Sequence, residues 1–174
     1  MIQPILKTSR LTIRPVEKSD QQKVFEGFSN PDVIKYFDIT YSTFEDTATQ
    51  MEWYKNKRER GSGYAWVVCD DANSFIGIVS IHSIDQQNKR CETGYWLFPE
   101  FWNKGYAKEA LTAVLDFASS KINMHRVTAE IEPENTDSIK LVLALGFIRE
   151  GVFKDFEFKN GKFNDLEIWT KLFP

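Results

Sequence analysis

Apolar positions along the chain switch between two periods, and each switch marks an element. Residues 10–15 (R-L-T-I-R-P) alternate polar and apolar, which predicts a first strand ended by proline. Ser19 with Gln22 three residues on predicts a capping-box start for a helix reaching about Ser29, and Asn30-Pro31 breaks it. Phe44, Ala48, Met51 and Tyr54 fall on one helical face, so a second helix is expected from Thr43 to Gly61. Residues 64–69 (Y-A-W-V-V-C) and 75–81 (F-I-G-I-V-S-I) predict a hairpin across D-D-A-N-S, and a fourth strand is expected over about residues 91–98. A helix beginning near Asn103 carries the stripe Tyr106, Ala110, Ala113, Val114, Phe117 and Ala118 to about Ser120. Residues 126–131 (R-V-T-A-E-I) alternate as a fifth strand. A further helix opens at Asn135 and closes at Gly146. The last two strands, residues 147–158 and 163–172, flank Asn160-Gly161, a strong two-residue turn signal. The order β-α-α-β-β-β-α-β-α-β-β predicts a mixed sheet covered by helices, read as one domain over residues 1–174.

Composition narrows the class. Of 174 residues, 42% are apolar and 27% charged, an ordinary globular balance, and 14 Phe favour a well-packed sheet face. No apolar run approaches the roughly 20 residues that span a bilayer, so no membrane partner is expected. The start M-I-Q-P-I-L-K-T lacks the basic and apolar regions of a signal peptide, and Cys69 and Cys91 sit inside apolar runs. Both point to a cytoplasmic location with buried reduced thiols. A net charge of −3 argues against a nucleic-acid partner. His82 and His125 have no partner at ligand spacing, so no metal is expected, and no nucleophilic triad or phosphate-binding P-loop is present.

Two segments carry candidate chemistry. Residues 99–110 (P-E-F-W-N-K-G-Y-A-K-E-A) join a strand to a helix, a junction that aims unpaired N–H groups and a helix dipole at an anion. Gly105 and Ala107 are small enough to let a ligand approach the backbone. Residues 135–147 (N-T-D-S-I-K-L-V-L-A-L-G-F) open the later helix with Asn135 and Ser138. In this order and spacing, the two segments resemble the cofactor-binding motifs of the GCN5-related N-acetyltransferases, in wording closest to the ribosomal-protein N-terminal acetyltransferase (RimJ/RimL-type) branch. The resemblance covers almost the whole chain.

That resemblance implies a mixed, mostly antiparallel sheet of about seven strands with about four helices, and acetyl-CoA as cosubstrate. The acetyl-CoA would lie in a split between the parallel strands at residues 92–98 and 126–131. Main-chain groups up to Leu97 and Phe98 would pair with the pantetheine arm, and N–H near Leu97 would polarise the thioester. Amides of Asn103, Lys104, Gly105, Tyr106, Ala107 and Lys108 would hold the pyrophosphate. Most members carry Arg or Gln at Trp102, so binding would fall mainly to the backbone. For Lys104 and Lys108, a solvated helix face is the alternative. Asn135 would touch the pantetheine arm, cap its helix, or do both. Ser138 matches the acid that protonates the departing thiolate; Val142 stands where many members carry a tyrosine acid. Glu92 is open to two roles, a general base facing the acceptor or a surface carboxylate paired with Lys89 or Arg90. The acceptor expected from the resemblance is the α-amine of a protein N-terminus, with a polyamine, an aminoglycoside or a non-catalytic acyl-CoA-binding role as alternatives. The chain is expected as a monomer or homodimer.

Overall fold

The computed structural model describes residues 3–159 and 161–174. Among these, eight strands form one sheet in the order β1-β2-β3-β4-β5-β6-β8-β7. They are β1 (Leu6–Lys7), β2 (Leu11–Pro15), β3 (Tyr64–Asp70), β4 (Phe75–Asp85), β5 (Arg90–Leu97), β6 (Arg126–Ile131), β7 (Ile148–Lys159) and β8 (Lys162–Leu172). Every neighbouring pair is antiparallel except β5 and β6. The helices are α1 (Gln21–Phe28), α2 (Pro31–Ile34), α3 (Ala48–Glu59), α4 (Tyr106–Ile122) and α5 (Thr136–Ala144).

Both faces of the sheet are covered, which explains why β3 reads as continuously apolar. Its Tyr64, Trp66 and Val68 enter a core with α4 and α5, while Ala65, Val67 and Cys69 enter a second core beneath α1 and α2. The stripe of α4 is broader than its sequence suggests, with Leu111, Leu115 and Ile122 also buried. Trp66, Trp96 and Trp169 are buried core residues, and both cysteines are buried free thiols.

The departures have local causes. Two short elements escape periodicity: the two-residue β1 and the single-turn α2. Asn30 and Pro31 break α1 as expected but also start α2, since Asn30 Oδ1 accepts from Asp32 N–H and proline occupies the first turn. The α1 entry is held by Asp20 rather than Ser19; its carboxylate accepts from Glu17 N–H at 2.8 Å and pairs with Arg14 at 2.7 Å. α3 begins at Ala48, not Thr43, because Thr43 Oγ1 accepts Asp46 N–H and closes a separate turn. Its buried face is Thr47, Gln50 and Tyr54; Phe44 lies outside the helix, edge-on to Phe25. α4 starts at Tyr106, not Asn103, since Asn103 (φ 58°) and Gly105 (φ 80°) are both left-handed. The late hairpin forms as expected. Asn160 lies outside the described residues, and Gly161 beside it has φ 77°.

Candidate active site

Pairing between β5 and β6 covers only Arg90–Arg126, Cys91–Val127 and Glu92–Thr128. Beyond these the strands part, each held from outside: β4 pairs with β5 through Leu97, and β8 with β6 through Ile131. Phe98 N–H donates to Ile76 O on the β4 side at 2.9 Å. Alternation then turns the main-chain groups of Tyr95 and Leu97 into the split. These N–H groups have no strand to pair with, so an extended ligand could add there as a strand. Phe98 is excluded from this role. Its N–H is spent on Ile76, its C=O accepts from Phe101 N–H, and its side chain is buried.

At the open end of β5 the chain makes a 3-10 turn over Pro99–Phe101, then the left-handed residues Asn103 and Gly105. The first intrahelical acceptor of α4 is Gly105 O, which takes Glu109 N–H. The N–H groups of Tyr106, Ala107 and Lys108 are therefore left for an outside acceptor at a positive helix end, a fit to phosphate oxygens. Trp102 contributes differently from its expected role. Its indole N–H donates to Leu97 O at 2.8 Å, so it ties the turn to the strand end and has no donor left for a phosphate. The Lys104 ammonium lies 5.7 Å from the Phe101 ring, and both Lys104 and Lys108 are exposed.

A brace from the N-terminal strands holds this turn, and it leaves no periodic trace in the sequence. Glu109 accepts from Thr8 Oγ1 at 2.5 Å, Arg10 N–H at 3.1 Å and Arg10 Nε at 2.8 Å. Arg10 Nη1 also donates to Lys104 O, and its guanidinium stacks 4.7 Å from the Tyr106 ring. Burial raises the Glu109 carboxyl and these donors more than offset it, leaving the group below its ordinary value.

α5 packs on β6 and α4, so its start lies beside the split. Asn135 caps it, with Oδ1 accepting Ser138 N–H at 3.2 Å, and its amide NH2 makes no hydrogen bond among the described residues. Ser138 sits in the first turn, half-buried, and Val142 is fully buried aliphatic core.

On the opposite face stands Glu92, on the last β5–β6 pair. It is paired with neither Lys89 nor Arg90; Arg90 turns to Asp85 at 3.2 Å. Across the β4–β5 ladder, His82 Nδ1 lies 3.3 Å from Glu92 Oε2. The His82 ring packs edge-on to Trp53, over which Lys57 sits at 5.3 Å. The contact with His82, and more weakly Lys57, holds the Glu92 carboxyl below its ordinary value despite partial burial. Two residues along β6, the Glu130 carboxyl is pushed up by burial and by the charges of Glu92 and Glu157. Glu157 is itself raised by burial and by Asp38. Sequence reasoning misses both, because Glu130 meets the charges of Glu92 and Glu157 only once β5, β6 and β7 share one sheet. Among the described residues, no three His, Cys, Asp or Glu side chains converge as a metal site. No helix there is long and apolar enough to cross a membrane.

Residues 10–148 match the acetyltransferase (GNAT) domain family. The uncharacterized N-acetyltransferase p20 of Bacillus licheniformis is 35% identical over 96% of this chain and 95% of its own length. The ribosomal-protein-serine acetyltransferase of Escherichia coli is 27% identical over 74% of this chain and 71% of its own. The structure of spermidine N-acetyltransferase from Vibrio cholerae, in complex with CoA and spermine, superposes with a TM-score of 0.85 at 25% identity. It covers 95% of this chain and 96% of that one. A parted parallel strand pair ending in an amide cradle is thus joined to a family match over most of the chain, and the chain belongs to the GNAT family of acetyl-CoA-dependent N-acetyltransferases.

Proposed function

We propose that this chain moves the acetyl group of acetyl-CoA to the α-amine of a protein N-terminus. The observation that carries the reading is Glu92, whose carboxylate His82 keeps ionised beside the split. Such a group gathers an ammonium ion well and takes its proton poorly, so the acceptor must lose that proton readily. An α-amine, which ordinarily titrates at about 7.7–8.0, is about 2.5 units easier to deprotonate than lysine, worth about 3.4 kcal/mol. The likeness to a ribosomal-protein-serine acetyltransferase supports the same choice.

In this mechanism, the amides of Gly105 to Lys108 hold the pyrophosphate and the N–H of Leu97 polarises the thioester carbonyl. A preorganised donor of that kind contributes about 2.7–4 kcal/mol in other enzymes. The amine attacks directly. Burial pushes the Cys91 thiol up to about 12 and raises that of Cys69, so neither supplies a thiolate for an acyl-enzyme. The ammonium sheds one proton through water past Glu92 before attack and a second as the amide forms. Ser138 gives its proton to the departing thiolate and regains one from solvent, so one proton is released overall. Replacing Gly105 by valine strains a position with φ 80°, at a cost of about 1–3 kcal/mol, and crowds the cradle. Calorimetric titration is expected to show acetyl-CoA affinity at least about tenfold weaker in the folded variant; unchanged affinity removes the cradle assignment.

Thiol release by Glu92→Gln, followed from about pH 6 to about pH 10 with a serine-initiated peptide, tests the acceptor reading. At neutral pH the variant is expected to be at least about tenfold slower. Its rate should climb more steeply with pH and recover within about one to two units above neutrality, where the α-amine is already neutral. A wild-type profile removes Glu92 from the reaction.

A second acceptor is favoured by a specific observation. The charges of Glu92 and Glu157 both raise the Glu130 carboxyl, so a second positive charge there would relieve that repulsion. A polyamine carries such a charge. Spermidine in the same assay decides: kcat/KM at least about tenfold above that of the peptide selects this acceptor.

A further inference from the structure

Two parted strands leave the acceptor face of the split open, and one side chain spans it. Alternation along β5 puts Glu92, Gly94 and Trp96 on that face. Trp96 seats the chain that follows α1. Phe28 packs edge-on to its indole at 5.6 Å between ring centres, and Phe37 packs edge-on to Phe28 at 5.8 Å. Tyr36, next to Phe37, lies outside this core, and its hydroxyl donates to Glu134 O at 3.0 Å. Glu134 lies on the turn between β6 and α5, so the bond runs from the β5 side of the split to the β6 side. The far anchor is itself fixed: Thr136 N–H donates to Glu134 O and Asn135 N–H to Glu132 O, each at 2.9 Å. The Glu132 carboxylate pairs with the Lys159 ammonium of β7, both largely buried.

We infer that Tyr36 is a specificity-determining residue. Latched to Glu134, its ring walls the acceptor face at the wide end of the split, so an amine reaches Glu92 only at the tip of a slim chain. The other end is closed at the Glu92–Thr128 pair, where the strands are still joined. Between these bounds β5 and β6 diverge, and the strap sets the width that an acceptor can have. α2 is a single turn, too short to hold Tyr36 rigidly from its own side, so the hydrogen bond completes the span. The Lys35 ammonium lies 4.9 Å from the ring and steadies it by a cation–π contact. One such hydrogen bond favours the latched state by about two- to tenfold.

The inference rests on the acceptor entering beside Glu92, and the experiment separates the two. Tyr36→Phe keeps the ring and removes the latch; Tyr36→Ala removes the wall. Acetyl-CoA-dependent thiol release compares a slim and a broad acceptor in two pairs: peptides beginning Ser-Gly and Ser-Trp, and spermidine beside p-xylylenediamine. In wild type the slim member of the pair that is turned over is expected to lead by at least about tenfold in kcat/KM. Tyr36→Ala should bring that ratio below about threefold by raising kcat/KM for the broad member, with calorimetric acetyl-CoA affinity within about twofold. Tyr36→Phe should fall between, about two- to tenfold less selective than wild type. A merely structural role would slow both members alike and leave the ratio unchanged. An unchanged ratio in Tyr36→Ala, or no discrimination in wild type, overturns the inference. Inert peptides beside active spermidine remove the N-terminal acceptor and leave the strap to be read from the diamine pair. A wild-type pH profile in Glu92→Gln with a ratio still lost in Tyr36→Ala removes Glu92 and supports the wall. No turnover with any of the four removes both readings.

Discussion

Gly77→Ala is expected to cost the protein several kcal/mol of stability and to weaken acetyl-CoA binding in whatever remains folded. Gly77 of β4 pairs with Leu97 of β5, and an added Cβ would sit 2.2 Å from Trp96 O and 2.6 Å from Leu97 Cα. Those atoms are main chain and cannot rotate away, so β5 itself must shift. Overpacking of this kind costs about 1–3 kcal/mol where side chains can yield. Against backbone, about 3 kcal/mol or more is expected, which lowers Tm by roughly 6–12 °C for a chain of this size. The shift falls on the segment that turns the Leu97 N–H into the split, so stability and affinity should fall together. Thermal unfolding and calorimetric titration read the two losses. An unchanged Tm would mean that β5 yields freely there and is not a rigid wall of the site.

Ser138→Ala is expected to reduce turnover by about ten- to a hundredfold while acetyl-CoA affinity stays within about twofold. Proton donation to the thiolate matters only as the transition state forms, so its loss appears in kcat. General acids contribute about 10²–10⁴-fold, and the lower end applies here because a thiolate, whose thiol ordinarily titrates near about 8.5, is a modest base. The substitution leaves the cap intact, since Asn135 accepts from the main-chain N–H of residue 138. Stability should therefore barely change. Steady-state kinetics with a serine-initiated peptide, beside acetyl-CoA titration, separates the two effects. Undiminished kcat would leave water as the acid.

The candidate site divides by the range of its contacts. The cradle over Asn103–Lys108 and the start of α5 are readable because each is local: small residues at a strand-to-helix turn, and a capping residue before an apolar run. Roles that depend on a distant partner are not. Trp102 stands where most members offer a side-chain donor, and its own indole N–H is consumed by Leu97 O. Phe98 reads as the companion of Leu97, yet strand alternation gives the two residues opposite edges. Glu92 has Lys89 and Arg90 as sequence neighbours, while its partner His82 comes from the strand beside it. Thr43 carries a helix-start signal, but its hydroxyl closes a separate turn on Asp46 N–H and the helix starts at Ala48.

The chain by itself determined the alternation of strands and helices, a sheet covered by helices and the strand-to-helix turn that leaves amides open at the start of α4, because periodicity, capping and turn chemistry act within a few residues. It also determined that neither thiol is poised to react, since both lie within apolar runs. Tertiary structure alone decided where β5 and β6 part, which edge of β5 faces the split, the Arg10–Glu109 brace and the meeting of Glu92, His82, Glu130 and Glu157. Each of these joins elements separated in the sequence. Strand register and the desolvation of charged groups exist only once those elements have met.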